Sequence, residues 1–213
     1  MSVFDVTVPM RPGMPLWPGD APMQLEFVRT IGGGSATNNS HLAFSSHAGT
    51  HVDAPLHFID GGAPVEAIPP EALVGPCLLV DVGDVPIITR ADLERLDLAG
   101  HERILFRTRN SAWITERFDE DFVAFSADAA RYLVDLGPML IGIDAPSLDP
   151  YGTPGHPAHM AILGSGTIKC VIEWLALDGL EPGEYGLFCG PLRVVGAEGT
   201  PCRVFLVGPV HTL

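Results

Sequence analysis

Three of the eight histidines fall within eleven residues, and an aspartate lies between them. The cluster consists of His47, His51, Asp53 and His57. Imidazole and carboxylate groups together suit a borderline divalent ion such as Zn²⁺, with Mn²⁺ or Fe²⁺ as alternatives. The competing interpretation is a polar strand whose histidines are only hydrogen-bonded. The number and the types of the donors favour a metal site.

An extended conformation would bring these donors together, because alternate residues of a strand share one face. His47, His51 and Asp53 then point the same way, and Gly49 leaves room for an ion between the two histidines. A helix would also align His47 with His51, but it would contain Gly49 and meet Pro55 soon afterwards. We therefore predict that this segment is extended.

A second group of acidic and histidine residues occurs further along the chain, at Asp144, Asp149, His156, His159 and Glu173. The two histidines lie in a segment rich in Pro and Gly, and functional residues are often placed in such loops. Glu173 lies among apolar residues, where a carboxylate is costly unless it is paired, and a metal ion would pair it. The alternative is a solvent-facing position on an amphipathic strand, and this segment alone does not decide between the two.

Short apolar runs that alternate with helical patterns predict the elements that must position these groups. The predicted strands are Cys77–Val82, Ile104–Thr108, Met139–Asp144, a strand near Tyr185–Cys189 and a strand near Arg203–Val207. One helix is predicted from the cap Thr89 through Leu96, and another covers Ala127–Leu136 between the N-cap Ser126 and Gly137. This alternation predicts an α/β fold with a mixed sheet, in a single domain that spans residues 1–213.

The composition excludes several classes of protein. The 213 residues contain 26 acidic and 12 basic side chains, so the formal net charge is −14. Such a charge disfavours nucleic acids and anionic membranes as partners. The chain has neither a long apolar run nor a recognisable signal peptide, which predicts a cytoplasmic protein. The four cysteines form no CxxC pair and are predicted to be buried apolar residues, whereas His101 and His211 are predicted to be solvated.

Four segments carry recognisable motifs, namely His47–Phe58, Trp17–Asp20, Ile104–Trp113 and Leu140–Pro150. Together they resemble motifs of the metal-dependent cyclase/kynurenine formamidase (arylformamidase) family. His47–Phe58 is similar to its H-x-GTH-x-D-x-P-x-H signature, and Trp17–Asp20 resembles its N-terminal WPGD motif. Ile104–Trp113 resembles its central strand and loop, and Leu140–Pro150 resembles its GID-T/A-PS-x-D-P element. The resemblance implies a swivelling β/β/α-type domain with a mixed sheet, a cyclase-like fold. It also implies a homodimer or a higher homo-oligomer.

The resemblance further implies a metal centre with one or two divalent ions, zinc in the first place and manganese as an alternative. His47, His51 and Asp53 match ligands of one ion. Asp53 would be shared with a second ion, which His159 and Glu173 would also bind. Members of the family usually place the last two residues twelve positions apart, whereas fourteen positions separate them here. A two-residue insertion in the glycine-bearing loop between them would absorb the difference.

The activity that the resemblance implies is the hydrolysis of an amide C–N bond, which converts N-formylkynurenine into kynurenine and formate in tryptophan catabolism. A metal-bound hydroxide would attack the carbonyl, and His57 would be the general acid/base. An aryl amide would pack on Trp17 and Phe58. The alternatives are a cyclic amide hydrolase similar to isatin hydrolases, a biosynthetic cyclase, and a non-catalytic metal- or ligand-binding protein.

Overall fold

A computed structural model describes residues 1–208, which form ten strands and four short α-helices. The strands are β1 (Ser2–Asp5), β2 (Gln24–Arg29), β3 (Asn39–Ala43), β4 (His51–Asp53), β5 (Val74–Asp81), β6 (Arg103–Arg107), β7 (Leu140–Ile143), β8 (Cys170–Glu173), β9 (Gly183–Pro191) and β10 (Gly199–Gly208). The α-helices are α1 (Pro70–Leu73), α2 (Arg90–Leu93), α3 (Ala127–Leu136) and α4 (Pro157–Gly164). His101 is partly exposed, and His211 lies outside the described residues.

Seven of these strands close into a mixed β-barrel. Their order is β10-β4-β8-β7-β6-β5-β9, and β9 pairs again with β10. The strand β1 pairs with the C-terminal part of β10, whereas β4 pairs with its N-terminal part. The strands β5, β6, β7 and β8 are parallel neighbours, and the remaining barrel pairs are antiparallel. The α/β class and the mixed sheet are therefore confirmed. Closure of the sheet was not foreseen, because β9 pairs with two strands that are distant from each other in sequence.

The predicted elements are present with small shifts in their bounds. Ser126 accepts a hydrogen bond from a backbone N–H in the first turn of α3, and Gly137 ends this helix with a φ of 76°. Such a left-handed conformation suits glycine, which lacks the Cβ that would clash. The helix α2 ends at Leu93, earlier than the predicted Leu96, because the N–H of Leu96 already bonds to the Leu93 carbonyl in a turn.

The parallel strands are buried on both faces, as strands between two apolar layers must be. Ile104 and Phe106 of β6 pack outward against the helices, whereas Leu105 between them packs inside the barrel. All four cysteines are free and buried in the inner layer, which confirms that prediction. No helix within residues 1–208 has both the length and the apolar character needed to cross a membrane.

Candidate metal centre and active site

The two donor groups of the sequence meet where β4 lies antiparallel to β8. In this register His51 is opposite Glu173, and Asp53 follows on the same face of β4. All three side chains are buried, with 1%, 3% and 0% exposure respectively. The solvent-facing alternative for Glu173 is therefore wrong.

The prediction that the whole histidine segment is extended is also wrong, since β4 covers only His51–Asp53. His47 lies in the turn that precedes the strand, and Gly49 has a φ of +63°. His57 ends a short 3₁₀-helix that begins at Pro55. The turn nevertheless returns the His47 ring to the strand, because His47 Nδ1 lies 2.8 Å from an Asp53 oxygen. Gly49 in a left-handed conformation allows this reversal of the chain. The prediction assumed a continuous strand, in which the chain does not reverse.

The helix α4 contributes His159. Pro157 occupies its first turn, and the backbone N–H groups of Ala158 and His159 donate to the Asp149 carboxylate at 2.7 and 3.1 Å. A carboxylate is stabilised at this end of a helix because the N–H groups there have no partner within the helix. His156, which precedes the helix, has a φ of 44°, and donor atoms of His156, His159 and Asp149 lie within 4.8 Å of one another.

The longer spacing between His159 and Glu173 does not separate these two residues. Their side chains are in contact, with His159 Nε2 3.0 Å from Glu173 Oε1. Between them the chain turns after the end of α4, where Gly166 has a φ of 71°. The same Glu173 oxygen accepts the backbone N–H of Leu148 at 2.7 Å, which fixes the carboxylate from the opposite side.

Nitrogen and oxygen donors converge on Asp53. His51 Nε2 lies 3.2 Å from Asp53 Oδ1 and 3.4 Å from Glu173 Oε2. His159 Nε2 lies 3.6 Å from Asp53 Oδ2. Among residues 1–208, the buried side-chain atoms without a hydrogen-bond partner are His47 Nε2, His51 Nε2 and both oxygens of Asp53. Such atoms are costly to bury, and their concentration in one place indicates a site for a cation.

The contacts of Nδ1 in His51 and His159 determine the tautomer of each ring. His51 Nδ1 lies 2.8 Å from the Gly49 carbonyl, an acceptor only, so Nδ1 carries the proton. His159 Nδ1 lies 2.7 Å from Asp149, which gives the same tautomer. Both Nε2 atoms are then free to bind an ion, in the histidine arrangement that metal sites commonly use. The donor set therefore fits one or two divalent ions of the zinc or manganese type.

Electrostatics inside the centre are dominated by Asp53 and Glu173. Burial alone would lower the pKa of His51, but the two carboxylates outweigh it and raise this pKa to about 10. Burial alone would raise the pKa of Asp53, but His51 and the neighbouring imidazoles hold it well below its usual value. A divalent ion would displace the protons of the histidines, so metal affinity should rise with pH.

His57 stacks on His47 with 4.1 Å between the ring centroids. Donor atoms of His47, Asp53 and His57 lie within 4.8 Å of one another, as do those of His51, Asp53 and Glu173. The two groups share Asp53, and His47 Nδ1 and His51 Nε2 both lie within 3.2 Å of the same Asp53 oxygen. This geometry permits His57 to act as a ligand or as a proton carrier. Burial lowers the pKa of His57, although Asp53 opposes this effect, so the ring is neutral near pH 7.

The centre opens into a cavity of about 220 Å³ that contains both predicted substrate contacts, Trp17 and Phe58. The Phe58 ring stacks on His159 with a centroid distance of 4.3 Å. Trp17 is supported from behind by Phe118 at 5.4 Å and by Tyr151 at 5.3 Å. A cavity wall of packed aromatic rings suits an aryl ligand.

Sequence reasoning did not single out three further residues of the site. Asp20 lines the cavity and could have been found as the last residue of the WPGD motif. Trp174 also lines it and has a φ of 56°, a strained conformation for a large side chain. Glu198 Oε1 lies 3.4 Å from His47 Nε2. Nothing in the sequence marks Glu198, because it approaches His47 from a distant part of the chain.

Asp144 was grouped with the second cluster, and the structure separates it from the centre. Its carboxylate accepts hydrogen bonds from the backbone N–H and hydroxyl groups of Thr108 and Ser111, at 2.6 to 3.0 Å. Arg107 and Arg109, at the same end of β6, form ion pairs with Asp81 and Asp84. This region is held by its own polar contacts and contributes no donor to the cavity.

Comparisons with known proteins agree with this geometry. The family model "Cyclase", described as "Putative cyclase", matches residues 4–150. The chain is 35% identical over 208 residues to a kynurenine formamidase of Salinibacter ruber, and the match covers 97% of each chain. A solved structure described as a potential metal-dependent hydrolase with cyclase activity has a TM-score of 0.85 at 36% identity, over 96% of both chains. Isatin hydrolase A of Labrenzia aggregata has a TM-score of 0.80 at 25% identity, over 97% of this chain and 93% of that one.

Proposed function

The chain belongs to the cyclase family, and we propose that it is a metal-dependent hydrolase that cleaves the C–N bond of an aryl amide. The preferred substrate is N-formylkynurenine, which would yield kynurenine and formate. The observation that carries this proposal is the group of buried, unpartnered donor atoms around Asp53 at the end of an aromatic cavity. Near-full-length similarity to a kynurenine formamidase supports the choice of substrate.

In this proposal His47, His51 and Asp53 hold one divalent ion, and Asp53, His159 and Glu173 hold a second. Zinc is the first choice, and manganese is the alternative. When bound, such ions polarise an amide carbonyl and lower the pKa of a water molecule. The contact of Asp149 with His159 supports the assignment, since ligand histidines are commonly oriented by an outer carboxylate.

The side chains around the ions bind the substrate and move a proton. Trp17 and Phe58 would hold the aryl ring of the substrate between them. His57 is neutral near pH 7, so its imidazole can accept a proton and deliver it to the nitrogen of the leaving aryl amine. The stacking of His57 on His47 fixes the plane of the imidazole, which supports a defined direction of proton transfer.

A second candidate keeps the same centre and changes the substrate to a cyclic aryl amide such as isatin. The structural similarity to isatin hydrolase A favours it, although the sequence identity is lower than to the formamidase. Opening of a ring amide requires the same attack on a carbonyl carbon. The two candidates differ in whether the cavity prefers an open-chain formamide or a fused ring.

We also propose that the protein is a homodimer or a higher homo-oligomer, as the resemblance implies. The exposed apolar side chains on the β2–β3 ribbon support this, since Leu25, Phe27 and Leu42 are each about half exposed or more. Light scattering on the purified protein tests the proposal, and a monomer at all concentrations would contradict it. The swivelling β/β/α description of the fold remains a prediction of the resemblance.

The function is tested with protein stripped by a chelator and then reloaded with Zn²⁺ or Mn²⁺. We expect hydrolysis of N-formylkynurenine to disappear with the metal and to return on reloading, with isatin opened more slowly. Metal analysis of the same samples gives the number of ions per chain. Full activity of the stripped protein would refute a metal-dependent mechanism, and a preference for isatin would favour the second candidate.

The role of His57 is tested by His57→Ala. We expect a loss of about 10²- to 10⁴-fold in kcat, the usual range for a proton-transfer residue, with the metal content retained. The matched control is His101→Ala, since His101 is partly exposed and does not line the cavity. Loss of an ion in His57→Ala would instead assign His57 as a ligand.

A further inference from the structure

Residues 17–20 form a tight turn beside the cavity, and the first and last of them line it. The backbone N–H of Asp20 donates to the Trp17 carbonyl at 3.1 Å, and Gly19 has a φ of +100°. Pro at the second position of a turn and a glycine with positive φ at the third position are typical of a type II β-turn. Because the turn is closed by this bond, the side chains of Trp17 and Asp20 line the same cavity.

The Asp20 carboxylate is only partly engaged by the protein. One oxygen accepts a hydrogen bond from the Ser45 hydroxyl at 3.1 Å, and the residue is partly buried. No lysine or arginine lines this cavity within the described part of the chain. A carboxylate on a substrate would therefore find no cationic side chain among these lining residues, whereas an ammonium group would find Asp20.

We propose that Asp20 determines specificity by binding a primary ammonium group of the substrate while Trp17 contacts the aryl ring. This inference rests on the proposed formamide hydrolysis and names its substrate class. The substrates are 2-formamidophenyl ketones whose side chain carries an ammonium group, and a carboxylate on that side chain is not required. A charge-assisted hydrogen bond to Asp20 and contact of the cation with the indole face would both favour this orientation.

Three substrates separate the groups that matter. N-formylkynurenine carries an ammonium and a carboxylate, N-formylkynuramine carries only the ammonium, and 2-formamidoacetophenone carries neither. For the wild-type protein we expect the first two to have kcat/KM values within about threefold of each other, and the third to be about tenfold poorer or worse. A much lower value for N-formylkynuramine than for N-formylkynurenine would show that the carboxylate is recognised and would overturn the inference.

Asp20→Asn tests the residue itself. We expect KM to rise about tenfold for the two ammonium substrates, with kcat nearly unchanged and 2-formamidoacetophenone unaffected. Asp97→Asn is the matched control, because Asp97 is exposed and does not line the cavity. An equal loss on all three substrates would assign Asp20 a structural role and overturn the proposal.

Calorimetric measurement of kynuramine binding tests the ammonium site independently of the proposed hydrolysis. Kynuramine has the ketone and the ammonium group but no formamide, so its binding does not depend on hydrolysis. We expect the wild-type protein to bind it about tenfold more tightly than Asp20→Asn does. If none of the formamides is hydrolysed but this difference persists, the proposed function fails and the ammonium site stands. Equal binding by both proteins refutes the site.

Discussion

Asp53 and Asp144 are both completely buried, and both lie at the end of a barrel strand, yet they have opposite surroundings. Asp144 accepts four hydrogen bonds from Thr108 and Ser111. Asp53 has three imidazole nitrogens at 2.8 to 3.6 Å and no hydrogen bond to either oxygen. A buried carboxylate that its own fold satisfies holds the structure together. A buried carboxylate that lacks hydrogen-bond donors and lies among other metal-binding groups indicates a site for an ion.

The largest expected effect is that of Asp53→Asn. An amide lacks the negative charge that a divalent ion requires, so we expect the metal to be lost. Activity should fall by more than the roughly 100-fold that removal of an outer-sphere partner causes. Metal analysis and a hydrolysis assay measure this, and thermal melting shows that the variant is folded. Retention of the metal by Asp53→Asn would show that Asp53, like Asp144, is not needed to hold the ion.

Asp149→Asn tests a carboxylate that contacts a proposed metal ligand, His159, rather than the ion itself. The carboxylate orients the His159 ring and accepts two backbone N–H groups at the start of α4. We expect metal affinity to weaken by about 10- to 100-fold, with a smaller loss of stability. Competition with a chromophoric chelator measures the affinity. An unchanged affinity would show that His159 does not depend on Asp149 for its orientation.

Asp144→Asn should affect stability and leave the centre intact. The amide oxygen can keep the N–H donors that bond to Oδ2, but the NH₂ group would replace Oδ1 and could no longer accept the Thr108 hydroxyl, which costs about 1–3 kcal/mol in the free energy of unfolding. Urea denaturation at pH 5 measures this loss, and metal content per folded chain should equal that of the wild-type protein. Loss of the metal from a folded Asp144→Asn protein would contradict the structural role.

The pH dependence of stability gives a further test of Asp144. Burial raises the pKa of this carboxyl to about 7, although its four hydrogen bonds oppose the shift. A pKa raised in the folded state means that stability is greatest below the unfolded value near 4 and declines as the pH rises towards 7. The difference in unfolding free energy between the wild-type protein and Asp144→Asn should therefore shrink from pH 5 to pH 8. A constant difference would contradict this pKa.

The smallest expected effect is that of Thr108→Val. The change keeps the side-chain shape and removes one hydroxyl, which donates to Asp144 and accepts the backbone N–H of Asn110. We expect a loss of about 1 kcal/mol in the free energy of unfolding, with activity unchanged. Urea denaturation and the hydrolysis assay measure both quantities. A large loss of activity would connect this region to the centre.

Several features of the fold could be predicted because they depend on neighbours in sequence. The helix α3 was predicted with its cap and its glycine stop, since Ser126 and Gly137 act on backbone groups within one turn. The strand β6 was predicted from its continuous apolar run, and the structure buries this run on both faces. The two-sided pairing of β9 could not be predicted, because it depends on strands more than a hundred residues apart.

The site divides in the same way. His47, His51, Asp53 and His57 were recognised from their spacing, but their conformation was not, because Gly49 reverses the chain within the motif. Nothing local distinguished Asp144 from its neighbours in the second cluster.

The sequence by itself determined the types of donor, the apolar strands and the caps, because these follow from side-chain chemistry and from interactions within a few residues. Only the tertiary structure decided which carboxylates remain without partners. Pairing of β4 with β8 places Glu173 beside His51, and α4 brings His159 to both. Residues of the loop after β6 donate four hydrogen bonds to Asp144, so this carboxylate is not available to the metal centre. Whether a buried carboxylate binds an ion depends on this competition for partners, which is settled by contacts between distant parts of the chain.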